Sequence, residues 1–148
     1  MNMSRTDENT TLLNDIYSNS QMGKKTLEEM LNLVEDNDFL QLLQTHRNRY
    51  TKINDTAASL LKKHGEEPKN IPMWDDVSSS LMIKLNTLTD RSASHLAEML
   101  IEGSTMGITD MRKNVNRYQD IAEKEVLDIA KTLLTEEEKN VERLKKFL

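Results

Sequence analysis

The sequence predicts an all-α protein built as a bundle of long helices, and three features carry that reading. Apolar residues recur at steps of three and four along most of the chain, the two prolines lie close together at Pro68 and Pro72, and there are only four glycines. The 148 residues fit one domain, 1–148; with 36% apolar and 30% charged residues they are too apolar for disorder and too poor in turn formers for an all-β fold. A net charge of −5 disfavours nucleic acid or an anionic membrane as partner, since both demand a basic surface. The absence of cysteine removes disulfides, thiolate metal sites and cysteine nucleophiles together. The polar amino terminus has no apolar stretch of signal-peptide length, so a cytoplasmic location is expected.

The first helix is expected over about Asn9 to Val34, with Leu13, Ile16, Tyr17, Ser20, Gly23, Leu27, Met30, Leu31 and Val34 on one face. Asp38-x-x-Gln41 resembles a capping box opening the second helix, whose stripe is Phe39, Leu42, Leu43, His46, Tyr50, Ile53, Ala57, Leu60 and Leu61. That helix should stop at His64-Gly65, where glycine suits a left-handed C′ position. Residues 65–91 form a crossover that contains both prolines and a short extra helix carrying Val77, Leu81, Leu85 and Leu88, with Trp74 expected to plug the bundle end. Thr89 to Ser92 offers a break and a new N-cap. The third long helix then presents Leu96, Met99, Leu100, Gly103, Met106, Gly107, Met111, Val115 and Tyr118. Asp120-x-x-Glu123 is a second box-like start, and the stripe from Val126 to Phe147 keeps its phase across Thr135, which argues for one continuous fourth helix.

Ser20-Gln21-Met22-Gly23 recurs as Ser104-Thr105-Met106-Gly107, so hairpins 9–64 and 92–148 read as two copies of one unit packed face to face. Ser20, Gly23, Gly103, Ser104 and Gly107 strip bulk from the first and third long helices and suggest a close crossing there. Glycine inside a helix costs about 0.5–1 kcal/mol relative to alanine, which calls for a packing reason. Short turns make each hairpin antiparallel. Nine extended residues reach roughly 30 Å and a fourteen-residue helix about 20 Å more, enough to traverse a bundle of ~36 Å. An up-down-down-up bundle with one long crossover follows.

In that architecture, in the hairpin repeat and in the Leu100-Ile101-Glu102-Gly103 stretch, the chain resembles the ferritin-like superfamily, and its small bacterial members of unknown function in particular. The resemblance implies a di-iron site fed by a Glu from the first and third bundle helices and by Glu-x-x-His from the second and fourth, a spacing that puts both ligands on one helix face. Against that pattern Glu102 has Ser18 as its repeat mate, Glu137 is followed by Asn140 where His is needed, and Leu43 stands three residues before His46. No Glu-x-x-His occurs in the chain. Glu102 and Glu137 are expected to find ion-pair partners such as Arg47, Arg49 or Lys84, and His46 to be a hydrogen-bonded core histidine. No phosphate loop, nucleophile elbow or His-Glu-x-x-His motif is present, so no enzyme activity is assigned. The sequence therefore reads as a non-catalytic helical bundle without a cofactor, with a structural or protein-interaction role that includes self-association. The alternative is a divergent protein binding iron or another transition metal through Glu102, Glu137 and His46.

Overall fold

A computed structural model describes residues 3–148. Its helices are α1 (Met3–Leu31), α2 (Asn37–Lys63), α3 (Pro72–Asn86), α4 (Ala93–Tyr118) and α5 (Lys124–Leu144), closed by a short 3-10 turn over Lys145–Phe147; no strand occurs among the described residues. One continuous apolar cluster draws Leu12 and Ile16 from α1, Leu43 and Leu61 from α2, Leu85 from α3, Met111 from α4 and Leu133 from α5. The helix α1 is central, touching α2, α3, α4 and α5.

Local sequence sets the helix ends. At α2 the N-cap is Asp36, two residues before the expected Asp38: its carboxylate accepts the Phe39 N–H at 2.8 Å. That start brings Phe39 against Phe147, with ring centroids 4.9 Å apart. At the other end Gly65 takes φ +77°, its N–H donates to Lys62 O, and the Glu66 N–H reaches back to Leu61 O, a full Schellman motif. Ser92 caps α4 by accepting the His95 N–H at 3.2 Å. The Asp120 box does not form. Glu123 is the N-cap of α5 without a side-chain bond, and its own N–H donates instead to Asn9 Oδ1 at 2.9 Å, because α1 reaches that end of the molecule. The early start of α1 at Met3 has no apolar periodicity to announce it, and its end at Leu31 comes three residues before Val34.

The turn between α1 and α2 lies beside the start of α4, where Val34, Asp36, Arg91 and Ser92 line one depression. At the opposite end the turn between α4 and α5 meets both Asn9 of α1 and His64, whose Nε2 lies 3.5 Å from the Glu123 carboxylate. The segment before α3 is tied to α1: the Ser18 hydroxyl donates to Lys69 O and accepts the Ile71 N–H at 2.8 Å, and Asn14 Oδ1 accepts the Lys69 N–H. Trp74 does not plug the bundle end; it is buried along α1, donating from Nε1 to Asp15 Oδ1 at 2.9 Å. Replacing Asp36 by Ala should lower the unfolding free energy by about 1 kcal/mol through loss of the cap, measured by urea titration. An unchanged midpoint would mean that water replaces the carboxylate there at no cost.

Candidate functional site

The centre of the bundle is polar. Asp15, Asn19, His46, Glu137 and Asn140 are all buried, contributed by α1, α2 and α5. Gly23 of α1 and Gly107 of α4 create the space for this layer, each within its own hairpin rather than at a crossing of α1 with α4. A Cβ on Gly23 would stand 2.9 Å from the Tyr50 ring of α2; one on Gly107 would overlap the Glu137 carboxyl of α5, coming 2.8 Å from its Cδ. Gly103 instead faces Leu81 of α3 at ordinary contact distance, and the Ser20 hydroxyl, bonded to Ile16 O, accepts from the Asn54 amide. Ser104 borders the cavity described below.

Among the described residues Glu137 has no ion-pair partner. Burial raises its pKa well above the usual carboxylate value, and the nearby Asp110 and Asp15 push it the same way; the Asn19 amide and Tyr50 hydroxyl oppose this without overturning it. Neither Glu137 Oε1 nor the Asn19 amide makes a well-formed hydrogen bond. Arg49 takes the neighbouring carboxylate, donating to Glu136 at 2.8 Å, and Arg143 joins it at 3.2 Å. The expected partner thus serves the half-buried rim residue, one position off the buried stripe. Burial lowers the His46 pKa to about 4, helped by the positive charges of Arg143 and Arg49, and its Nε2 has no hydrogen-bond partner. Burial thus disfavours the charged form of each group.

A second polar knot joins α1, α3 and α4. Asp15 accepts from Trp74 and from the Asn114 amide, and Asn114 also donates to Asp110 at 3.3 Å. Burial together with the Asp110 carboxyl, by hydrogen bond and by charge, raises the Asp15 pKa to about 8 despite the bonds from Trp74 and Asn114.

His46, Glu137 and Asn140 also line a cavity of about 30 Å³, together with Tyr50, Ser104 and a wall that includes Met22, Met30 and Met99. Glu102 is outside it: it is exposed and borders an open depression with Lys84, His95 and Glu98. Glu102, Glu137 and His46 therefore do not form one ligand set. Among the described residues the group that comes within ligand distance is His64, Glu123 and Glu125 at the bundle end, where Lys63 already binds Glu125 at 3.0 Å. Set against the di-iron pattern that the resemblance implies, the layer offers the buried carboxyls of Glu137 and Asp15, each pushed by burial toward its protonated form, the imidazole of His46 and the amides of Asn19 and Asn140, with buried Leu43 three residues before His46. Such a set does not fit a di-iron centre, which needs several anionic ligands.

No family model matches the sequence, and no curated relative does either. Among solved structures the chain is similar to YcfI from Rhodopseudomonas palustris, provisionally called a structural protein, with TM-score 0.75 and 19% identity over 90% of this chain and 88% of that one. The shared property is the helical fold.

Two predictions follow from the layer. Gly107→Ala gains about 1 kcal/mol in helix propensity but forces the Glu137 carboxyl aside, an overpacking cost of about 1–3 kcal/mol, so the variant should be less stable. In a Glu137→Ala background the same change should stabilise; equal effects in both backgrounds, by thermal melting, would disconnect the two residues. The second concerns pH. Asp15, raised from 3.8 to about 8, keeps its proton where the unfolded chain has lost it, so its contribution is full below 3.8 and declines as pH rises to about 8. His46, lowered from 6.5 to about 4, acts oppositely, costing stability as pH falls from 6.5 to about 4. Above pH 6.5 the carboxyls act alone: folding free energy should drop toward pH 8, and Asp15→Asn should flatten that drop in denaturant titrations followed by Trp74 fluorescence. A slope unchanged in the variant would mean that Asp15 is already ionised.

Proposed function

We propose that this chain is a ferritin-like, up-down-down-up bundle that has lost the ligands of a metal enzyme and serves a structural or protein-interaction role. Support for the topology comes from the two ends: α2 and α4 both start beside the turn between α1 and α2, while α1 starts and α2 ends beside the turn between α4 and α5. The crossover then runs back along α1 through Lys69, Ile71 and Trp74. The observation that carries the functional reading is the donor set: the two buried carboxyls, Glu137 and Asp15, are both pushed by burial toward their protonated forms, beside amides that bind transition metals poorly. The likeness to YcfI, itself provisionally called structural, agrees with this reading.

Elemental analysis of protein expressed with iron, manganese and zinc supplements tests the reading. Metal should be substoichiometric, and Glu137→Gln should not change it. One or two equivalents of a transition metal per chain, lost in Glu137→Gln, would overturn the reading in favour of a metal protein.

A further inference from the structure

The central cavity has the makings of a ligand site that the structural role does not require. Three of the residues lining it have buried polar atoms that lack partners among the described residues: His46 Nε2, Glu137 Oε1 and Asn140 Nδ2, on residues that are 2%, 1% and 1% exposed. Buried polar atoms left unpaired are costly, so a molecule able to bond to them is favoured there. About 30 Å³ is room for one or two water-sized groups. The remaining wall is apolar and soft, with Met22, Met30 and Met99 able to rearrange around a chain. Toward the surface the lining passes to Leu81 of α3 and Leu100 and Gly103 of α4, all half-buried, which places the mouth between α3 and α4.

Charge decides the class of ligand. Burial disfavours the charged forms of Glu137 and His46 alike, so the lining holds no buried counter-charge for an ion, and Arg143 and Arg49 act on His46 from outside the lining. A hydroxyl fits: it can accept from the Asn140 amide and donate to Glu137 Oε1 or His46 Nε2. We propose that this cavity binds a small neutral aliphatic alcohol, with its oxygen at His46, Glu137 and Asn140 and its alkyl chain along Met22, Met30 and Met99. The inference is independent of the structural role and stands or falls separately from it.

The test is a titration of ¹³C-methyl-methionine-labelled protein with 1-butanol, with sodium butyrate at pH 7 as the charged comparison. The Met22, Met30 and Met99 methyl signals should move saturably with 1-butanol, while those of exposed Met73 stay still and butyrate has no saturable effect. Asn140→Leu, which removes one partner of the hydroxyl, should weaken 1-butanol about five- to tenfold. Leu100→Trp keeps the polar residues and obstructs the mouth, so it should abolish the shifts even if Asn140→Leu does not fold. Shifts that rise linearly without saturation, that butyrate reproduces, or that persist in Leu100→Trp would overturn the proposal.

Discussion

The constraint on which this molecule turns is the seating of the Glu137 carboxyl in the volume that any side chain at position 107 would fill. A carboxyl 1% exposed and without an ion pair cannot keep its charge cheaply, so burial holds the proton on it. Once neutral, Glu137 can share the centre with Asn19, Tyr50 and Asn140, and the bundle closes around polar groups that do not repel one another. The same logic governs Asp15, where two carboxyls on α1 and α4 come close enough that one retains its proton.

This layer also shapes how the helices are held. Burial of leucine, isoleucine and methionine supplies the main driving force but little direction, since one apolar face packs against another at many registers. The polar contacts are directional. Trp74 to Asp15 fixes the crossover helix on α1, Ser18 and Asn14 fix the segment before it, and Asn54 fixes α2 through Ser20 and the Tyr17 carbonyl. With Asn114 of α4 on Asp15 and the Glu123 N–H on Asn9, the hydrogen bonds of α1 reach five separate parts of the chain, in keeping with its central position.

Much of the fold was legible in the sequence because helix periodicity survives even where individual residues mislead. The stripe that kept its phase across Thr135 corresponds to the unbroken α5, and the His64-Gly65 stop to the Schellman motif. The polar centre was harder to read. His46 and Glu137 stood out by lying on apolar stripes, and Asn140 by standing where the di-iron pattern needs His, but nothing marked Asp15 as buried. The reason lies in α1: as a central helix it is buried on more of its circumference than a one-sided stripe reveals, so polar positions flanking the stripe are inside as well. The glycines at 23 and 107 signalled close approach, yet a sequence repeat cannot tell which neighbouring helix makes it. Glu102 misled for the opposite reason, since a carboxylate next to a glycine in a helix says nothing about which way it faces.

Glu137 is thus the residue through which the fold and the electrostatics of the core are linked. The most direct measurement is a ¹³C NMR titration of the Glu137 side-chain carboxyl. A signal in the protonated range at pH 7, unmoved on acidification through 4.5 where surface glutamates titrate, is what a buried neutral acid requires. A signal already in the carboxylate range at pH 7, titrating near 4.5, would contradict the account.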